Sequence, residues 1–285
     1  MKTAFVLTFY IGEDERNYNK GLQLAEDCIS TLKECEDSIL VVYNQGVLSN
    51  EILKDLLCKY EIPSVILGNG NNDGVAVARQ RCFEYIWTYI PEIKYISEIH
   101  LDMIFPKNWH KPLIEFLENT DEPFVCPCIV TEDGMLGPNG IEPKSVIVPN
   151  NVTDILSLCN SLKSNKIYYG FVNPVIYKSN ILKEIGGYDL KFLKGKQGFE
   201  DDSIILAHMY YLGLRYKWKP KCNLNSVVYH STLAQRTEFK NANEEFALNL
   251  NGLFNKYGAY GLKLLSEFYN SDYFLELYNE VLRRI

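Results

Sequence analysis

His100 and Asp102 stand one residue apart at the end of an apolar run within residues 94–109, KYISEIHLDMIFPKNW. Residues i and i+2 of an extended chain point the same way, so an imidazole and a carboxylate can converge there on one cation. A satisfied polar pair at a strand end is the plainer explanation of those residues alone. Glu200, Asp201 and Asp202 follow Gly198-Phe199. Crowded carboxylates raise one another's pKa, which suits one of them to general-base work. Acids in the first turn of a helix are also what capping and the helix dipole favour. His230 closes a second apolar stretch and would give a metal a nitrogen ligand if a carboxylate corner lay within reach. The segment Asn69-Gly70-Asn71-Asn72-Asp73-Gly74 has no aliphatic side chain and precedes a helical pattern. Its glycines free backbone N–H groups to face an anion, and Arg79 lies one helical turn beyond. It matches neither the P-loop nor the dinucleotide glycine spacing. Cys126-Pro127-Cys128 is the one close cysteine pair, and without a second pair at zinc spacing it reads as strand rather than as a metal site.

These residues need a scaffold that presents them together. Residues 3–9, 38–43, 64–67 and 95–99 are short apolar or β-branched runs that read as buried strands. Between them, residues 16–36, 50–59 and 75–90 carry apolar side chains at helical spacing. The alternation β-α-β-α-β-α-β predicts a mostly parallel sheet covered by helices on both faces. Ligands of such sheets bind at the C-terminal strand ends. Here those ends are residues 10–13, 44–46, 69–74 and 100–102. Pro106 and Trp109 are expected to open a helix. The second half is less regular. Residues 123–129 and 167–177 read as strands, 131–151 as a Gly- and Pro-rich loop, and 180–185 as a helical turn. Residues 203–212 read as a helix, 214–218 and 226–229 as short strands, and the chain after 233 as helical with a break at 256–261. The loops at 131–151 and 191–198 are candidates for a functional lid.

With 285 residues, 47% of them hydrophobic, the chain can bury a large core. A net charge of −7, spread along the sequence, gives no basic footprint for nucleic acid. No apolar run approaches the about 20 residues of a membrane span, and the N-terminus lacks the layout of a signal peptide. The eight cysteines sit mostly in apolar or helical pattern and read as reduced thiols of a cytoplasmic protein. In such a chain the glycosylation sequon Asn151-Val152-Thr153 is incidental.

Taken in order and spacing together, the motifs resemble those of the family-2 type of GT-A glycosyltransferases. The matching features are Thr8-Phe9-Tyr10 after the first strand, and Asn71-Asn72-Asp73-Gly74-Val75-Ala76-Val77-Ala78-Arg79 in place of N-x-G-x-A-x-A-R. Ile99-His100-Leu101-Asp102-Met103 stands at the metal-binding D-x-D. Gly186-Gly187-Tyr188-Asp189, Gly198-Phe199-Glu200-Asp201-Asp202, Trp218 and Val228-Tyr229-His230 complete the set, and the likeness spans about residues 3–258.

The resemblance implies a GT-A fold, with a mostly parallel central sheet flanked by helices and a helical C-terminal tail. It implies a transferase domain over 1–240, divided into a nucleotide-binding half (1–110) and an acceptor-binding half (111–240), with an extension over 241–285. Asp102 and His230 would bind Mn²⁺ or Mg²⁺. Asp201 would be the general base, with Glu200 beside it. Thr8, Tyr10, Asn44, Asn72, Arg79, His100 and Leu101 would line the nucleotide-sugar site. The implied activity is inverting transfer of a sugar from a nucleotide-diphosphate sugar, a UDP-sugar in first place, to a saccharide, lipid-linked or protein acceptor. Apart from the resemblance, the spacing of Leu262, Leu265, Phe268 and Tyr269 in the tail after Tyr260 fits either packing on the domain or a homodimer. His100 departs from the first acid of D-x-D, and Asn44 from a common Asp. Both departures also suit a degenerate module that binds without transfer. A sugar nucleotidyltransferase is the other alternative, although no Gly-rich basic loop follows the first strand.

Overall fold

Thr3–Phe9 (β1) is buried along almost its whole length, as a strand is when helices cover both faces of its sheet. The chain continues through Glu15–Leu32 (α1), Ser38–Asn44 (β2), Asn50–Lys59 (α2), Ser64–Gly68 (β3), Val75–Tyr89 (α3) and Tyr95–Ile99 (β4). β1 pairs in parallel with β2 and β4, and β2 with β3. Alternate residues of β1 feed two cores. Ala4 and Val6 pack with Ala78, Cys82 and Phe83 of α3. Phe5, Leu7 and Phe9 pack with Ala25 and Ile29 of α1 and with Leu53 and Leu57 of α2. This computed structural model describes residues 2–12, 15–213, 218–232 and 241–284.

The second half adds Met103–Ile104 (β5), Lys111–Glu118 (α4), Phe124–Thr131 (β6), Leu136–Gly137 (β7) and Val152–Ser161 (α5). Ile167–Tyr169 (β8), Val175–Lys178 (β9), Ser179–Glu184 (α6), Glu200–Tyr211 (α7) and Lys221–His230 (β10) follow. β9 lies antiparallel to both β4 and β6 and joins the two halves. β10 runs parallel to β6 and antiparallel to β5. The resulting order is β3-β2-β1-β4-β9-β6-β10-β5, a central sheet flanked by helices.

Several expectations change in detail. The segment expected to open directly as a helix at Pro106 and Trp109 begins with β5, and α4 starts only at Lys111. Trp109 is instead a core residue, stacked on Phe5 and Phe105 at 5.8 and 5.1 Å. The single strand expected over 167–177 is two, β8 and β9, separated by a segment that contains the cis peptide Asn173-Pro174. Helix α5 had no sequence assignment. Its N-cap is Asn151, whose side chain accepts the Asp154 N–H at 2.9 Å, so the sequon asparagine is a helix cap. The loop at 131–151 is largely irregular, with β7 inside it. Cys126 and Cys128 lie in β6. All eight cysteines are free, and Cys58 is the exposed one. Of the strand expected over 214–218, residues 214–217 lie outside the described residues, and Trp218 is irregular.

The tail forms Ala242–Tyr269 (α8) and Asp272–Arg284 (α9). α8 kinks at Gly258, φ 65°, within the expected break. Leu253, Tyr257, Leu262, Leu265 and Phe274 of these helices share one core with Ile204, Ile205 and Leu206 of α7. No helix among the described residues is long and apolar enough to cross a membrane.

Candidate active site

Because β1 to β4 are parallel, their C-terminal ends meet on one edge. Thr8 lies near the end of β1 and Tyr10 just beyond it, Asn72 lies in the loop after β3, and His100 follows β4 directly. The Thr8 hydroxyl is buried and has no hydrogen-bond partner among the described residues. Asn72 Oδ1 accepts the Gly74 N–H at 3.2 Å and so shapes the start of α3. Asn44 is spent on its own loop. Its amide donates to Leu48 O at 2.8 Å and Asn50 Oδ1 at 2.7 Å, and its carbonyl accepts the Gly46 N–H at 3.2 Å. Leu101 is a core residue whose side chain packs in the α1-side core. The cavity of about 380 Å³ lined by Trp87, Ile90, Lys94 and Lys183 opens beside the start of β4, and none of these residues borders it.

Strand pairing delivers the histidine from the second half. β10 pairs with β5 so that His230 faces Met103, and the Ser231 N–H donates to Asp102 O at 2.9 Å. His230 Nε2 then lies 3.3 Å from Asp102 Oδ1 and 3.2 Å from His100 Nδ1. One ligand atom from each of His100, Asp102 and His230 falls within 4.8 Å of the others. Asp102 Oδ1 is buried and has no hydrogen-bond partner among the described residues, in spite of its close imidazole neighbour. A carboxylate oxygen and a ring nitrogen facing one another at this separation suit two ligands of one divalent cation. The residues present therefore fit a metal ion, while leaving its identity open.

Arg79 occupies the middle of the site and is 4% exposed. Each arm of its guanidinium meets a different group. Nη2 lies 2.7 Å from His100 Nε2, Nη1 donates to the Tyr188 hydroxyl at 3.1 Å and lies 3.5 Å from Asp201 Oδ1, and Nε is 3.8 Å from Glu98 Oε1. Glu98 is fully buried and receives the hydroxyls of Tyr188 at 2.6 Å and Tyr177 at 3.1 Å. Burial pushes its carboxyl up, against the pull of the Arg79 charge. In the sequence Glu98 reads as part of an apolar strand over residues 95–99. One charge inside a strand covered on both faces was the available signal, because such a group needs a buried partner.

The carboxylates open α7 rather than precede it. Phe199, the N-cap, holds a left-handed conformation at φ 63°, a strained geometry for an aromatic residue that recurs at functional sites. Glu200 Oε2 accepts the Gly198 N–H at 2.9 Å. Asp201 accepts the Asn173 amide at 2.9 Å, and its side chain remains 41% exposed. Asp202 lies against Tyr269 of α8, and burial followed by the Asp201 charge pushes it up to about 7. The loop at 191–198 is held on two sides. Asn249 of α8 exchanges hydrogen bonds with Gly195 and donates to the carbonyls of Gln197 and Gly198, while Lys196 O accepts the Val75 N–H at 2.8 Å. These hydrogen bonds tie its last turn to α3 and α8. Asn249, like Glu98, went unread, because an asparagine on a helix carries no sequence signal of what it clamps.

Neither the family models nor the sequences of curated proteins match the chain. Solved structures do. S. aureus TarS 1–349 superposes with a TM-score of 0.53 at 13% identity, covering 92% of this chain and 74% of that one. The same fragment in complex with UDP-GlcNAc gives 0.57 at 12% identity, over 94% and 71% of the two chains. The longer TarS structure gives 0.52 at 13% identity and is covered over only 43% of its length. At this identity the likeness concerns architecture alone, a mixed α/β, GT-A-like fold.

Proposed function

We propose that the protein is a metal-dependent glycosyltransferase that moves a sugar, with inversion, from a nucleoside-diphosphate sugar to an acceptor hydroxyl. The observation that carries this reading is the grouping at one sheet edge of an acid–imidazole pair, Asp102 and His230, and a half-exposed carboxylate, Asp201, on either side of one buried cation, Arg79. TarS structures in complex with UDP and with UDP-GlcNAc support a UDP-sugar as donor.

Asp102 and His230 would hold Mn²⁺ or Mg²⁺, which when bound offsets the charge gathering on a departing diphosphate. Thr8, Tyr10, Asn72 and His100, with the loop that Asn44 shapes and the backbone at Leu101, line the donor side, so residues 1–110 form the donor half. Asp201 takes the proton of the acceptor hydroxyl on its carboxylate. Asn173 and Arg79 orient that carboxylate, and Glu200 braces the turn beneath it. Holding both substrates in line makes the displacement effectively unimolecular and inverts the anomeric centre. Residues 111–240 receive the acceptor, and the helices after 241 support them.

A binding module without transfer is the second reading. It is favoured by His100, which replaces an acid and is engaged by Arg79. UDP release from a panel of UDP-sugars with Mn²⁺, read as slow hydrolysis in which water takes the sugar, separates the two. Transfer predicts release by the native protein and a loss of at least about a hundredfold in Asp201→Asn, with UDP binding retained. Full activity in Asp201→Asn removes that residue from the mechanism. UDP binding without release from any donor favours the module.

A further inference from the structure

Two of the groups at the His100 ring, the Arg79 guanidinium and the His230 imidazole, differ in their hydrogen-bonding chemistry. A guanidinium carries only donors. Its 2.7 Å contact from Arg79 Nη2 to His100 Nε2 therefore requires a lone pair on Nε2. A neutral imidazole has one ring proton, so that proton sits on Nδ1. Nδ1 is the nitrogen turned toward the cluster, 3.2 Å from His230 Nε2. A nitrogen that keeps its proton has no lone pair for a metal. The doubly protonated ring is excluded by the same contact, which would set N–H against N–H between two cations.

Arg79 is not free to turn away. Nη1 is bound to the Tyr188 hydroxyl, which itself donates to Glu98, and Nε faces the Glu98 carboxylate. Glu98 receives Tyr177 as well. The whole assembly is buried, so exchanging one partner would strand another.

We propose that His100 is not a metal ligand but a hydrogen-bond donor at the site, fixed in its Nδ1–H form by an Arg79 guanidinium that Glu98 and Tyr188 hold in place. The cation set contributed by this chain is then Asp102 and His230. In the absence of ligand the Nδ1–H group points at His230 Nε2. With His230 holding a cation, that N–H would be free to donate to an oxygen of the bound ligand, a phosphate or a hydroxyl. Glu98 and Tyr188 are positioning residues in this scheme. The tautomer follows from the protein alone, whereas the ligand-facing role rests on the donor-site reading given above.

Long-range ¹H–¹⁵N correlation on ¹⁵N-histidine protein tests the first part without metal, substrate or activity. The chain has four histidines, so single substitutions assign each spectrum. His100 should show a protonated Nδ1 and a pyridine-like Nε2, and the reverse pattern overturns the proposal. Mn²⁺ titration provides the second readout. His100→Asn should change Mn²⁺ affinity by less than about threefold, and His230→Asn should cut it by roughly tenfold or more. Equal losses in the two variants would return His100 to the ligand set. A native protein that binds no Mn²⁺ defeats the metal reading, and the tautomer measurement then decides the assignment by itself. UDP binding tests the second part. His100→Ala should lose roughly tenfold in affinity, and His100→Asn should regain most of it by supplying an amide N–H. Equal UDP affinity in the native protein and His100→Ala contradicts the ligand-facing role.

Discussion

Glu200 receives the Gly198 N–H on one carboxyl oxygen, and the other is buried with no partner among the described residues. Burial pushes its pKa up to about 7, although the Arg79 charge pulls the other way. The folded protein then keeps a proton that the unfolded chain gives up near its ordinary value of 4.5. Between those values stability falls as pH rises, and the cost is fully present above about pH 7. Glu200→Gln should therefore stabilise the protein by on the order of 2–3 kcal/mol at pH 8 and by almost nothing at pH 4. Denaturant unfolding at the two pH values checks this, and an equal gain at both would contradict it. At this scale the sequence was readable where a polar residue ends an apolar run, as His100, Asp102 and His230 do. It was silent on Glu98 and Asn249, whose roles depend on partners brought from other elements.

The start of α7 is held in register by neighbours rather than by its own cap, since Phe199 supplies no side-chain hydrogen bond. The clamp is Asn249 from α8, which is fully buried and serves both an N–H and carbonyl groups of residues 195–198. Asn249→Ala would leave several of these groups without partners. A destabilisation of about 2–4 kcal/mol is expected, read by thermal or urea unfolding. A change below about 0.5 kcal/mol would show that the loop does not need α8. The element pattern of the first half was legible because each strand is a continuous apolar run and each helix carries its own period. The second half was less so. β5, β7 and β8 are only two or three residues long, too short for any periodicity, and β9 gains its place from antiparallel partners far away in sequence.

Across the whole molecule, the parallel half supplies an edge, and β9 and β10 bring a second half against it. His230 reaches Asp102 only because β10 pairs with β5, and Asp201 reaches Arg79 only because α7 packs across α3's side of the sheet. The tail, expected as an extension, contributes Leu262, Leu265 and Phe274 to the same core. The alternating strands and helices revealed the architecture. They could not reveal which groups the closing of the two halves would bring together. On the proposed function, Asp102 and His230 would form a cation-dependent nucleotide site. Calorimetric titration of UDP into the native protein and Asp102→Ala, each with and without Mn²⁺, tests it most directly. Binding to the native protein that strengthens at least about tenfold with Mn²⁺, and a variant that gains nothing from the ion, is the predicted result. UDP affinity that is the same with and without Mn²⁺, or unchanged in Asp102→Ala, would contradict it.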